Sequence, residues 1–125
     1  MATILIVDDD ADLLRALTLL LTHAGHRVIT AQDGVLATTA AARHRPDMVI
    51  LDLGLPGGSG LTVLERMQAA VHLSAVPVLV LTGSTDPQCE AQILKAGARE
   101  FLRKPADPQI LLAAVGRLTA HSQAA

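Results

Sequence analysis

Apolar residues along the chain follow two alternating patterns. Five short runs are rich in apolar and β-branched residues, and they read ILIV, RVIT, MVIL, VPVLVL and EFL. The segments between and after them place apolar residues at helical spacing, as Leu13, Leu17 and Leu21 show in the first segment. These helical segments cover residues 12–23, 35–43, 61–71, 87–96 and 108–120. The pattern predicts five strands alternating with five helices, which is typical of a parallel sheet covered by helices on both faces.

The composition of the strands predicts their order in the sheet. ILIV, MVIL and VLVL are apolar at every position, as strands covered on both faces must be. RVIT and EFLR carry polar residues and suit the edges of a sheet. With the first strand inside the sheet, the order 2-1-3-4-5 follows, which is the flavodoxin-like doubly wound arrangement. The sequence thus predicts an α/β fold with one five-stranded parallel sheet.

Residues with capping chemistry mark the ends of the predicted helices. Asp-Pro pairs at positions 86–87 and 107–108 each supply an acid that accepts backbone N–H groups, followed by a proline suited to the first helical position. Asp10 fits the same capping role at the first helix. Gly25 and Gly97 stand where a left-handed C-terminal cap is wanted. The first strand is expected from about residue 3 and the last helix at about 107–121.

Composition and charge narrow the classes of function. The 125 residues are 50% hydrophobic, which suits one domain with a real core, and no linker or repeat interrupts them. The net charge of −2 and the scattered basic residues give no support to nucleic-acid binding by this chain. No apolar run is long enough for a membrane span, and the start lacks the basic region of a signal peptide. Because Cys89 is the only cysteine, no disulfide can form within the chain, and a cytoplasmic location is expected.

Acidic, hydroxyl and basic residues follow the predicted strands at their carboxyl ends. Asp8 and Asp9 follow the first strand, Asp52 the third, Thr82 ends the fourth, and Lys104 lies just after the fifth. Ligands of such sheets bind beyond the carboxyl ends of the strands, so these residues should converge at one edge. Three carboxylates brought close together repel one another unless a cation is bound, and carboxylate oxygens are ligands that Mg²⁺ prefers. The sequence predicts a Mg²⁺ site at this edge, which Mn²⁺ could also occupy.

At this point the chain resembles the receiver domain of bacterial two-component response regulators. The likeness covers essentially the whole chain, and its motifs are VDD at 7–9, LDLGLPGGSG at 51–60, LTG at 81–83 and FLRKP at 101–105. The resemblance implies that Asp52 is the phosphoryl acceptor and that Asp9 binds Mg²⁺ directly, while Asp8 holds metal-bound water. It also implies that the carbonyl of Gly54 supplies a further metal ligand.

The resemblance extends to the residues that would respond to the phosphoryl group. Lys104 would pair with the phosphoryl oxygens, and the Lys104–Pro105 bond resembles the cis peptide of the family. Thr82 would hydrogen-bond a phosphoryl oxygen, and Phe101, the only aromatic residue of the chain, would be the ring that turns inward as Thr82 moves. Gly54 and Ser84 match the positions that flank the approach of water, and both are small. A short-lived phosphoaspartate is therefore expected.

Two other functions would use a similar arrangement of residues or a similar fold. An aspartyl-nucleophile phosphatase typically carries a second acid two residues after the nucleophile, where this chain has Gly54, whose side chain cannot transfer protons. A phosphorylation-independent interaction module with a receiver fold stays open as the alternative. It is disfavoured because the set of acids, threonine and lysine is complete.

The expected partners follow from the resemblance. A sensor histidine kinase or a histidine phosphotransfer protein would supply the phosphoryl group. A downstream protein or effector domain would be controlled through helix four, strand five and helix five. From residue 108 to residue 120 the only charged residue is Arg117, so part of an apolar surplus on the fifth helix is expected at the surface. Residues 1–125 are expected to form a single receiver domain without an effector domain in this chain.

Overall fold

The computed structural model describes residues 1–54, 60–71, 73–83 and 87–123, with side chains described for residues 89–120 of the last range. Strands and helices alternate along these ranges, as the sequence predicts. The elements are β1 (Thr3–Val7), α1 (Ala11–His23), β2 (Arg27–Ala31), α2 (Gly34–His44), β3 (Met48–Leu51), α3 (Gly60–Ala69), β4 (Val78–Thr82), α4 (Pro87–Lys95), β5 (Glu100–Arg103) and α5 (Pro108–Gln123).

The five strands form one parallel sheet in the order β2-β1-β3-β4-β5. This confirms the flavodoxin-like arrangement predicted from the composition of the strands. The register aligns the ends of the strands, because Val7 at the end of β1 is paired with Ala31 of β2 on one side and with Leu51 of β3 on the other. Residues that follow these strands therefore start from the same edge of the sheet.

The core has two halves, one on each face of the sheet. Successive residues of β1 contribute to them alternately, as side chains along a strand must. Leu5 and Val7 belong to the half that packs against α2, α3 and α4, whereas Ile4 and Ile6 belong to the half that packs against α1 and α5. All four residues of β3 and all five of β4 are buried, as expected for central strands.

The predicted caps agree with the structure wherever it describes them. The side chain of Asp10 accepts the backbone N–H groups of Asp12 and Leu13 at the start of α1. Gly25 and Gly97 have φ angles of 95° and 115°, a conformation that favours glycine because other residues carry a Cβ. Asp107 caps α5 in the same way as Asp10 caps α1. Asp86 lies outside the described residues.

The structure corrects one boundary and limits the apolar surface expected on α5. The fourth strand begins at Val78 rather than at residue 76, because Pro77 has no N–H to donate to the ladder. Part of the apolar surplus of α5 is at the surface, as expected, because Ile110 is 56% exposed. The rest is covered, since Leu111 and Val115 are at most 1% exposed and Leu118 is also buried. The helix is sunk into the half-core on its side of the sheet.

Long apolar helices are absent from the described part of the chain. None of its helices combines the length and the hydropathy that crossing a membrane requires.

Candidate functional site

Two acids follow directly from adjacent central strands. Asp8 follows β1 and donates its N–H to the carbonyl of Ala31, while Asp52 follows β3 and donates its N–H to the carbonyl of Val7. These bonds extend the sheet pairing by one residue on each strand. As a result, carboxylate oxygens of Asp8, Asp9 and Asp52 all lie within 4.8 Å of one another. The convergence expected from the sequence is present in the structure.

The three acids differ in their contact with solvent. Asp8 is 2% exposed and Asp52 is 8% exposed, whereas Asp9 is open to solvent. Asp8 is also held by its own loop, because its Oδ1 accepts the N–H of Asp10 at 3.0 Å. Two acids of the cluster are therefore buried and Asp9 faces solvent. A cation or a small anion can reach the cluster from the side of Asp9.

Among the described residues, Lys104 is the only basic residue that forms ion pairs with these acids. Its Nζ donates to Asp8 Oδ2 at 2.7 Å and lies 3.6 Å from Asp52 Oδ1. The N–H of Lys104 donates to the carbonyl of Thr82 at 2.8 Å, which fixes the lysine backbone beside β4. The peptide bond between Lys104 and Pro105 is cis. One ammonium thus faces two buried carboxylates.

The charge balance of the site is visible in two pKa shifts. Burial raises the pKa of Asp52, and the nearby charges of Asp8 and Asp9 raise it further, against the opposing effects of Lys104 and of the Gly54 N–H. Burial alone would lower the pKa of Lys104, but the hydrogen bond that it donates to Asp8 and the charges of Asp52 and Asp8 raise it overall. The lysine therefore stays charged, and its single charge leaves Asp52 incompletely compensated.

The donor set fits a small divalent cation. Three carboxylates within 4.8 Å supply the hard oxygen ligands that Mg²⁺ and Mn²⁺ take, and the exposed Asp9 leaves room for water in the remaining positions. The raised pKa of Asp52 means that added positive charge would be stabilised there. Asp8, Asp9 and Asp52 are the side chains that would hold the ion. Gly54 lies two residues after Asp52 and is exposed, so its carbonyl remains a predicted ligand.

Thr82 lies on β4, next to the strand that leads to Asp52, and Phe101 lies on β5, one strand further. Thr82 ends β4 and is 4% exposed. Phe101 is paired in register with Val80 of β4 and packs, partly buried, against the half-core that contains α4. The guanidinium carbon of Arg103 lies 5.5 Å from the centre of the Phe101 ring. Ser84, the other residue expected to flank the site, lies outside the described residues.

Gly60 is a site residue that the sequence did not single out. Its N–H donates to the carbonyl of Leu53 at 2.8 Å, and a Cβ at this position would lie 2.3 Å from the backbone oxygen of Asp52. Any other residue would therefore push the start of α3 away from the end of β3. The sequence offered only a weak signal, since Gly60 is one of four glycines between residues 54 and 60.

Comparisons with known proteins agree with this geometry. The family model of the response regulator receiver domain matches residues 4–116. The transcriptional regulatory protein KdpE of Mycobacterium tuberculosis is 46% identical over 105 residues, which are 84% of this chain and 45% of that protein. The chain thus spans about half the length of this relative.

Two further comparisons cover nearly the full length of both chains. Protein PilH of Pseudomonas aeruginosa is 32% identical over 120 residues, which are 96% of this chain and 99% of that protein. The crystal structure of a receiver domain from Clostridium thermocellum has a TM-score of 0.90 at 29% identity, and the match covers 98% of each chain.

Proposed function

We propose that this chain, which belongs to the response regulator receiver domain family, accepts a phosphoryl group on Asp52 from a sensor histidine kinase or a histidine phosphotransfer protein. Its own chemistry would be limited to taking the phosphoryl group from a donor and losing it by hydrolysis, so we do not class it as an enzyme. Response regulators work in two-component signalling, and we propose a cytoplasmic location for this one.

The observation that carries the proposal is the pairing of a buried nucleophile with charges on both sides. Carboxylate oxygens of Asp52, Asp8 and Asp9 lie within 4.8 Å of one another, and the Nζ of Lys104 lies 3.6 Å from the Oδ1 of Asp52. Phosphoryl transfer depends mainly on positioning and on neutralising the charge of the phosphoryl oxygens. A carboxylate at the centre of such a group is well placed for that task.

Each residue would take one part in the transfer. An oxygen of Asp52 attacks phosphorus, and the bond between phosphorus and the nitrogen of the donor histidine breaks. Lys104 pairs with a phosphoryl oxygen, and the hydroxyl of Thr82 donates to another. Asp9, Asp52 and the carbonyl of Gly54 would hold Mg²⁺ directly and Asp8 would hold metal-bound water, and the ion would supply further positive charge toward the phosphoryl oxygens.

The output would be read on α4, β5 and α5. We propose that Thr82 moves toward the phosphoryl group and that Phe101 turns inward, which changes this face for a downstream protein or effector domain. The face carries the exposed side chains of Leu94 and Ile110. It also carries a bidentate ion pair in which Arg117 of α5 donates to both carboxylate oxygens of Glu100, at 2.9 Å and 3.0 Å. Such a mixed surface fits a protein partner.

Incubation with acetyl phosphate and Mg²⁺, followed by intact-protein mass spectrometry, tests the proposal. Wild type should gain the mass of one phosphoryl group, and Asp52→Asn should gain none. Asp12→Asn is the matched control, because Asp12 is 93% exposed on α1 and should leave labelling unchanged. A wild type that stays unlabelled would support the alternative, a phosphorylation-independent interaction module. Undiminished labelling of Asp52→Asn would move the acceptor elsewhere.

A further inference from the structure

We propose that Arg103 is a positioning residue that holds the ring of Phe101 in place through its guanidinium group. The proposal rests on the proposed function, because it concerns the ring that would respond to phosphorylation. The guanidinium carbon of Arg103 lies over the ring of Phe101, at 5.5 Å from its centre. This is within the distance at which a guanidinium is attracted to the face of an aromatic ring.

The strand explains why these two side chains meet. Phe101 and Arg103 are two residues apart on β5, so both project from the same face of the sheet. Leu102, between them, packs into the other half-core with α1 and α5. The ring of Phe101 is anchored on the apolar half-core beneath it, while Arg103 is exposed and lies over the ring. The ring is thus held between an apolar support and a cation.

Arg103 is also joined to the site through the backbone. It is the register partner of Thr82 on β4, and it directly precedes Lys104 in the chain. The N–H of Lys104 donates to the carbonyl of Thr82 at 2.8 Å. A movement of Thr82 or of Lys104 therefore shifts the backbone from which Arg103 extends. Arg103 therefore links movements around Asp52 to the position of the Phe101 ring.

The strength of this contact sets what it can do. Exposed pairs of this kind contribute roughly a twofold to fivefold change in an equilibrium constant. Such a contact cannot lock the ring. It adjusts the fraction of unphosphorylated molecules in which the ring has left its resting position, which is the background level of the output.

Fluorine NMR can test the inference on the unphosphorylated protein. Phe101 is the only phenylalanine, and the chain has no tyrosine or tryptophan, so incorporation of 4-fluorophenylalanine labels one ring. Saturation transfer between the resting signal and its minor partner measures the fraction of displaced rings. We expect Arg103→Met, which keeps length but removes the charge, to raise the ratio of displaced to resting rings about twofold to fivefold. Arg103→Lys, which keeps the charge, should stay near wild type.

Two results would overturn the inference. A ratio in Arg103→Met equal to that of wild type would mean that the guanidinium does not hold the ring. Equal increases in Arg103→Met and Arg103→Lys would mean that the charge is not the cause. Arg103→Lys should melt within a degree or two of wild type and Arg103→Met within about five degrees, which separates a local effect on the ring from a loss of folding.

The test also separates this inference from the proposed function. The ratio is measured without any phosphodonor, so it decides the role of Arg103 whatever happens at Asp52. Labelling of the wild type by acetyl phosphate decides the proposed function independently. If the wild type is labelled, its phosphorylated form should show the ring signal at the frequency of the minor state, and a different frequency would overturn the link between Arg103 and the output.

Discussion

The ammonium of Lys104 and the carboxylate of Asp8, 96 positions apart in the chain, are joined by a hydrogen bond of 2.7 Å. The same ammonium is 3.6 Å from the carboxylate of Asp52. Lys104 therefore neutralises the most buried acid of the cluster first and the acceptor second. Any cation that binds these carboxylates must share Asp8 with the lysine.

This sharing predicts that Lys104→Met binds Mg²⁺ more tightly than wild type. Removal of the ammonium leaves Asp8 and Asp52 without their nearby positive charge, so the cluster attracts a divalent cation more strongly. The expected gain is roughly 1 kcal/mol, or about fivefold in Kd, the scale of one partly exposed charge pair. Isothermal titration calorimetry with MgCl₂ at fixed ionic strength measures it.

Arg99→Met is the matched control for the change in net charge. Arg99 is exposed and donates its N–H to the carbonyl of Val78 at the start of β4. It therefore lies at the amino end of the strands, whereas the acids lie at their carboxyl ends. Its Kd for Mg²⁺ should equal that of wild type. Weaker binding by Lys104→Met would contradict the competition between lysine and metal.

The space around Gly54 predicts the lifetime of the phosphoaspartate. Among the described residues, a Cβ at Gly54 would meet only the Oδ2 of Asp52, at 4.0 Å, so none of their side chains covers this side of the acceptor. Gly54→Met should shield the phosphoryl group from water and slow its hydrolysis several-fold. Decay of phosphorylated protein in excess Mg²⁺, followed by intact mass, measures the rate. Decay as fast as in wild type, or faster, would mean that this gap does not set the lifetime.

The contact of Gly60 with the end of β3 predicts a large loss of stability in Gly60→Ala. The added methyl would lie 2.3 Å from the oxygen of Asp52 and 2.5 Å from the Cα of Leu53, so the backbone must move. A cost of about 2 kcal/mol or more in the free energy of unfolding is expected. Urea denaturation measures it.

Gly116→Ala is the control for this prediction. Gly116 lies in α5, and a Cβ there would meet no atom of the described residues within 4 Å. Because alanine loses less backbone entropy in a helix, this variant should gain about 0.5–1 kcal/mol. Equal effects of the two substitutions would contradict the steric account of Gly60.

His26 predicts a dependence of stability on pH. Its Nδ1 accepts the N–H of Ala2 at 3.2 Å, and burial followed by the nearby N-terminal ammonium lowers its pKa from 6.5. Near pH 6 the unfolded chain therefore binds more protons than the folded chain, and stability rises with pH. The contribution is complete above the unfolded pKa and is lost as the pH falls through the folded value.

The size of the effect should be roughly 0.5 kcal/mol, the low end for one hydrogen bond, because His26 is only half-buried. Urea denaturation measures it at about pH 7 and about pH 5, which lie on either side of the reference pKa of histidine. His26→Gln should lose less stability over this range than wild type does. His44→Gln, at an exposed position, serves as the control and should follow the wild-type curve.

Much of the fold and the meeting of the acids could be predicted from the sequence. The order of the strands followed from which runs are apolar at every position, because burial on both faces excludes polar residues from central strands. Asp8 and Asp52 could be brought together because parallel register places the ends of neighbouring strands at one edge. Both inferences use only periodicity and topology, which the sequence carries directly.

Features that depend on side-chain positions could not be predicted in this way. Which carboxylate Lys104 contacts most closely depends on rotamers and on a sub-ångström balance between Asp8 and Asp52. The deep seating of α5 depends on how much apolar surface the sheet offers on that side, and this is not visible in the helix alone. The need for glycine at position 60 comes from the close approach of two backbones.

The division of the core into two halves has a consequence for how such a protein can diversify. The two halves share the backbone of the sheet but no side chains, since Phe101 and Leu102 of the same strand face opposite layers. Substitutions in separate layers tend to add in their effects on folding. Substitutions in the layer beneath α4 can therefore adapt the protein to a new partner while the layer beneath α1 and α5 keeps its own packing.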